Sequence, residues 1–243
     1  MKIYIFLLAF CVSLPTIAQS VDTIRVGDQL NIKQLRPGVK QYVRYVLQDG
    51  KRIKVDLWTR TTEFIAKTKT VRISQALESF DSSKRKTITS TFHLPSFSPI
   101  HHERATELLK EEFTFLDTTV LIKVNGEGKT PLRLYAPTYN FETDAELFQM
   151  LPWRENYIAV LNFYHPGSGV PDWYTFKVDG VEEVTTSNGQ KFKCFKIITN
   201  YNKPEYGTTI FWFDTKSRHF VKQKSELPGG GVLIKALVSI PEF

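Results

Sequence analysis

The chain has 243 residues and a formal net charge of +7, with hydrophobic residues at 42% and charged residues at 23%. Those figures exclude a disordered or collagen-like chain and suit one large domain that buries a core without disulfide staples. Aromatic residues are plentiful (18 Phe, 10 Tyr, 4 Trp) and Met is scarce at 2, a bias that favours half-buried strands.

The first segment reads as a signal for export. Lys2 gives a positive start, Ile3 to Val12 is apolar, Pro15 breaks the run, and Thr16-Ile17-Ala18 offers small residues at a cleavage point. The run is too short for a spanning helix, which needs about 20 apolar residues. Cleavage is expected after Ala18 or Gln19, leaving residues 20–243 as a single β domain. Cys11 leaves with the signal, so Cys194 stands alone and forms no intramolecular disulfide. Its strand-like surroundings, Lys191 to Ile198, make it a buried core thiol.

Period-two patterns then dominate. Gln41 to Leu47 and Arg52 to Leu57 flank Asp49-Gly50 and predict a hairpin. Val71 to Phe80 fits a strand or a short helix. Lys86 to Leu94 alternates cleanly, with Ile88, Ser90, Phe92 and Leu94 on one face, and Pro95 and Pro99 bracket a turn. Ile100 to Leu109, Glu112 to Leu116 and Thr119 to Val124 are further strands, closed by Asn125-Gly126-Glu127-Gly128.

One segment is helical. Thr143 and Glu146 have the spacing of a capping box, Leu147, Met150 and Leu151 follow at helical spacing, and Pro152 stops the run. A helix this short must pack on a sheet. Beyond it come strands at Tyr157 to Tyr164, Trp173 to Val178, Phe192 to Thr199, Thr208 to Phe213, Phe220 to Lys224 and Val232 to Ile240. Asp179-Gly180 and Asn188-Gly189 are expected as hairpin turns, and Gly229 to Gly231 as a flexible one. Strands at roughly 8–12-residue spacing predict an all-β fold. The expected architecture is an antiparallel, strongly curved sheet or partly open β-barrel with one short helix.

The second half carries a resemblance. Leu147-Phe148-Gln149-Met150-Leu151-Pro152-Trp153 with Tyr157, then Val178 to Val184, Gly189 and Cys194, then Phe211-Trp212-Phe213-Asp214 with Phe220-Val221-Lys222, resemble the family catalogued as domain of unknown function 3108. Asp81 to Arg85 and Phe97 to Ile100 fit its early hairpins. The resemblance implies an exported antiparallel β protein of Gram-negative bacteria, of Bacteroidetes type, in the periplasm or associated with the outer envelope. It carries over no catalytic residues.

Chemical motifs are sparse. His101 and Glu103 share one face of a strand and His102 takes the other, so the two His cannot face one metal. His101 and Glu103 with a distant ligand such as His93 or His165 fit a zinc site or the polar site of an envelope-polymer hydrolase. There is no HExxH, no nucleophile elbow and no phosphate-cradling loop. No nucleic-acid motif accompanies the basic residues. Reading back from Phe243, Pro241, Ser239 and Lys235 interrupt the apolar alternation of an outer-membrane strand. The sequence thus favours a noncatalytic envelope protein with no cofactor and no membrane span. It would bind a lipid, another hydrophobic small molecule or a cell-surface component, with Leu147, Met150, Leu151 and Trp153 as a candidate lid and Trp173 and Trp212 as further candidate contacts, although plain core packing explains the same apolar pattern and is the preferred reading of it. The alternatives are the hydrolase, with His101, Glu103 or His165 in its site, and a subunit of an envelope assembly that contacts another protein.

Overall fold

The structure, a computed structural model, describes residues 21–203, 205 and 207–239. The expected signal segment, residues 1–19, lies outside them. Seventeen strands form one sheet among the described residues. In chain order they are β1 (Val21–Ile24), β2 (Gly38–Gln48), β3 (Lys51–Ile65), β4 (Thr70–Ser79), β5 (Lys86–His93), β6 (Pro99–Ala105), β7 (Lys110–Leu116), β8 (Thr119–Val124) and β9 (Glu127–Gly128). After β10 (Leu132–Arg133) and β11 (Tyr139–Asn140) comes the single α-helix, α1 (Asp144–Gln149). The remainder is β12 (Ile158–Tyr164), β13 (Asp172–Thr185), β14 (Lys191–Thr199), β15 (Thr209–Asp214), β16 (Phe220–Glu226) and β17 (Val232–Ser239).

Two meanders, β2 to β9 and β12 to β17, join where β17 pairs antiparallel with β2, Leu237 opposite Tyr42. The far edges do not close into a barrel. Instead β10 pairs with β8, and the chain then runs to β11, which lies parallel to β12. β1 also lies parallel to β12. The expectation of an antiparallel sheet therefore holds along the meanders and fails at this edge. Segments that reach an edge from a distant part of the chain need no tight turn, so they are free to run parallel.

Local chemistry explains most turns. Asp49 and Gly50 both have positive φ, at 48° and 73°, as do Asn125 and Gly126 at 49° and 85°. That is the backbone of the two-residue turn whose twist matches its flanking strands. Asn188-Gly189 lies in the turn between β13 and β14. Asp179-Gly180 is not the hairpin turn expected: β13 runs straight through it, and the register against β14 shifts between Val178 and Val181. Gly180, at φ 109°, supplies the bulge there. Val71 to Phe80 resolves as the strand β4, and the strand expected from Ile100 to Leu109 stops at Ala105, where Thr106 and Leu109 close a tight turn.

One face of the sheet wraps the helix. All six residues of α1 are buried. Phe148 is at its centre, with ring centroids 4.7 Å from Phe176, 5.5 Å from Phe211, 5.8 Å from Phe213 and 6.3 Å from Phe163. From the other meander, Arg60 on β3 grips Glu146 through both carboxylate oxygens, with Nε at 2.9 Å from Oε1 and Nη2 bonded to Oε2. Gln75 on β4 donates to the Glu142 carbonyl at 2.8 Å and accepts from Arg60 at 3.0 Å and from the Trp58 indole at 3.1 Å. The capping box does not form. Glu146 is committed to Arg60, and the Thr143 hydroxyl donates to the Asn140 carbonyl at 3.0 Å. Asn140 is the local cap, its side chain accepting from the Glu142 amide at 3.0 Å. At the other end the Trp153 indole donates to the Phe148 carbonyl at 2.7 Å.

Breaking a buried ion pair by deleting one partner strands the other charge, which costs about 3–5 kcal/mol. Glu146→Ala is therefore expected to lower the urea unfolding midpoint sharply, and Arg60→Met combined with Glu146→Leu to recover most of the loss. Equal losses in the two variants would show that the pair's own geometry, rather than the stranded arginine, sets the cost.

Candidate functional site

In a meander every second connection lies at the same end of the sheet. The β12–β13, β14–β15 and β16–β17 connections are therefore neighbours, and a cavity of about 890 Å³ opens among them. Its apolar wall is Phe141, Tyr174, Tyr201, Leu227 and Leu233, with His165 and Val170 at the β12–β13 connection. Phe141, just before α1, organises the rings: its centroid is 3.7 Å from His165 in a stacked pair, 5.6 Å from Tyr201 and 6.0 Å from Tyr174. Ser168, Asp172, Thr209, Gln223, Ser225, Glu226, Lys203 and Lys235 supply the polar part of the wall. A volume near the upper end of the ~300–1,000 Å³ of small-molecule sites, with rings and a few polar groups, is what a binding pocket for a mainly apolar ligand looks like.

Lys235 projects to the inside of the sheet. It shares a face of β17 with Leu233, which lines the cavity, and Leu237, which is 2% exposed in the core. Its ammonium sits 4.8 Å from the centroid of the Trp58 ring. Burial pushes its pKa down to about 8, with Arg60 and Arg44 acting in the same direction and Asp144 and Glu142 against it. Among the described residues Lys235 makes neither a hydrogen bond nor a salt bridge. Three interior carboxylates have cations in contact: Glu146 with Arg60, Asp56 with Arg44 at 2.6 Å, and Glu142 with Arg104 and Lys86 at 3.5 and 3.7 Å.

The side chains singled out in the sequence fall in three places. Leu147, Met150, Leu151 and Trp153 are core, each 1–2% exposed, and α1 with the segment that follows it is packed inside the sheet rather than over an opening. Trp173 and Trp212 do not line the cavity. Each alternates with inward-facing neighbours, Tyr174 in one case and Phe211 and Phe213 in the other, so they lie on the outer face. There the Trp212 indole donates to Glu182 and Trp173 is 36% exposed.

His165 is separated from His101 and Glu103. It lines the cavity, whereas they occupy the face of β6 opposite the buried His102. Their third neighbour is Glu112, directly across from Glu103 on β7, and one ligand atom from each of the three lies within 4.8 Å of the others. Lys110 Nζ already approaches Glu103 at 3.2 Å and Glu112 at 3.6 Å, so a cation occupies this cluster from within the chain. Cys194 is fully buried and its thiol is pushed up to about 12 by burial, the opposite of what a nucleophile needs.

Sequence reasoning missed Phe141, Tyr174, Tyr201, Lys203 and Lys235. The alternation of Leu233, Lys235 and Leu237 is the signal that would have placed a lysine on a buried face.

His102 is fully buried. Its Nδ1 lies 2.8 Å from the Ser90 hydroxyl and 2.9 Å from the Asn140 amide nitrogen. An amide nitrogen only donates, so Nδ1 accepts and the neutral ring carries its proton on Nε2. Burial holds the His102 pKa at about 3, and those of His165 and His219 at about 4.

No curated protein matches this sequence. A family model described as a protein of unknown function, DUF3108, matches residues 42–237. Among solved structures, a β-barrel-like protein of the DUF1849 family from Brucella abortus is similar in fold at 9% identity. The match has a TM-score of 0.53 and covers 85% of this chain and 99% of that one. A DUF1329 family protein from Desulfovibrio piger matches at 10% identity with a TM-score of 0.30, covering 83% of each chain. Among the described residues no helix is long and apolar enough to cross a membrane.

The three histidines set an acid limit on stability. Unfolded imidazoles take up protons below about pH 6.5, while the folded ones stay neutral, so stability falls as pH drops from about 6.5 toward 4 and continues to fall toward 3 for His102. Urea unfolding from pH 7.5 to 4 should show that decline, and His102→Gln should flatten it. A pH profile unchanged by His102→Gln would remove this residue as a cause.

Proposed function

The chain belongs to the DUF3108 family of proteins of unknown function, and from that premise we propose that it is a noncatalytic binding protein of the bacterial cell envelope that holds a hydrophobic ligand in the cavity beside Phe141. The observation that carries this reading is the cavity itself, about 890 Å³ and walled in part by aromatic rings and leucines. A curved, partly open barrel suits the task, because an opening between strand connections admits a ligand without unpairing any strand. The signal-like segment Lys2 to Ala18 supports export, to the periplasm or the outer envelope.

The separation of His165 from His101 and Glu103 favours binding over hydrolysis. A nucleophile activated by a general base needs that base within hydrogen-bond reach. Here one member of the group stacks on Phe141, and the other two lie apart from it beside Glu112, with Glu103 paired to Lys110.

The test uses N-phenyl-1-naphthylamine, a neutral apolar probe that fluoresces when desolvated. The protein spanning residues 20–243 should enhance its emission saturably, at one probe per chain. Leu227 and Leu233 are only partly buried, so charges are tolerated there in the fold. Leu227→Asp with Leu233→Asp should weaken probe binding at least tenfold with little change in thermal midpoint. Undiminished binding by that variant would place the probe elsewhere and remove the cavity from consideration.

A further inference from the structure

We propose that the cavity selects an amphiphile with one anionic head, of the long-chain carboxylate class, its head paired with the Lys235 ammonium and its chain lying along Phe141, Tyr201, Leu227 and Leu233. This rests on the reading of the cavity as a ligand site and names the class of ligand it takes.

The first support is an imbalance of charge. A buried cation is normally paired, because removal from water is costly and a partner offsets it. Inside this sheet the carboxylates of Glu146, Asp56 and Glu142 have cations in contact, and Arg60, Arg44, Arg104 and Lys86 are used in holding them. Lys235 is left with the face of Trp58 and with the field of Asp144. Asp144 is no substitute for a contact partner: its Oδ1 accepts the Ala145 amide at 2.7 Å, and burial raises its pKa, away from the ionised form. A lipid-like carboxylate arriving at Lys235 would supply the missing pair.

The second support is position. Lys235 sits in the wall of the cavity, next in alternation to Leu233, and Gln223 faces it across the β16–β17 ladder. The Gln223 amide, which donates to Ser225 at 2.8 Å, and the Thr209 hydroxyl border the same wall and offer further polar contacts to a head group. Two carboxylates also line the cavity: Glu226, which accepts the Thr208 amide at 2.9 Å, and Asp172, which accepts the Trp173 amide at 2.8 Å. Both residues are exposed, where water and salt screen their charge from a head group at Lys235. The desolvated ammonium, with its pKa near 8, is still mostly charged at neutral pH. A head lacking charge would leave that charge uncompensated.

The experiment displaces N-phenyl-1-naphthylamine from the protein spanning residues 20–243 with dodecanoate and, separately, with dodecanol at pH 7. These differ in the head and share the chain. Dodecanoate is expected to compete at least tenfold better. Lys235→Met should abolish that preference while leaving dodecanol competition within about twofold, and Lys235→Arg should retain it. Equal competition by acid and alcohol in the unaltered protein, or a preference that survives Lys235→Met, would overturn the assignment of the head group while the cavity stands. Failure of the probe and of both amphiphiles to bind would overturn the cavity reading itself, and the head-group assignment with it. Dodecanol binding lost together with the thermal midpoint in Lys235→Met would show a folding defect. In that case Lys235→Gln, which keeps a polar group of similar reach and removes the charge, decides the matter by the same ratio.

Discussion

A sheet that does not close on itself must still bury one face, and here the burial depends on six residues of helix held from both sides. Phe148 engages the second meander through four phenylalanines, and Glu146 engages the first through Arg60. Neither contact alone would fix the helix. An isolated helix of this length has no stability of its own in water, so its conformation is imposed by the sheet. The sheet in turn relies on the helix to fill space that its own side chains leave open. The Arg60–Glu146 pair also sets orientation. A fork of two parallel hydrogen bonds fixes the carboxylate plane, and Gln75 fixes the guanidinium in turn while reaching the Glu142 carbonyl.

The same device explains where space remains. The helix and its rings fill the middle of the interior. Toward the end that holds the β12–β13, β14–β15 and β16–β17 connections, the filling gives way to smaller and polar side chains: Thr209, Gln223 and Ser225 on consecutive inward positions of β15 and β16. Small residues opposite a ring such as Tyr201 leave a gap, and the gap is the cavity. Phe80 and Leu108, 98% and 86% exposed, stand on hairpin connections at that same end of the sheet.

How much of this was legible follows from the range of each interaction. Alternation along a strand is local, so β5 and β14 to β17 could be read directly, and Asn188-Gly189 announced its turn. Asp179-Gly180 carried the same signal and became a bulge, because pairing of β13 with β14 on both sides of it overrode the local preference for a turn. Thr143 and Glu146 likewise had the spacing of a cap, and a residue 86 positions away in sequence, Arg60, claimed the glutamate. The parallel edge strands β1 and β11 are short, and their pairing is set by what the rest of the chain leaves exposed on β12. The tryptophans misled for a related reason. Ring content shows that a residue wants burial or a partner, but only the register decides which face it takes, and Trp173 and Trp212 fell on the outer one.

The chemistry-bearing residues differ less in type than in how far their partners satisfy them. Glu142 and Glu146 are held by cations, Cys194 lies fully buried with its thiol protonated, and His165 is stacked and kept neutral by burial. A group already satisfied by the fold gains little from a ligand, because any new contact must replace one that exists. Lys235 is less satisfied: its charge is present near neutral pH, it is partly buried in the cavity wall, and the contacts it makes are a ring face and a distant field. The free energy of desolvating it was spent in folding, so a partner that brings a negative charge recovers what the fold left unpaired. That asymmetry, more than the size of the cavity, is the reason to look for an anionic head and an apolar tail in the same ligand.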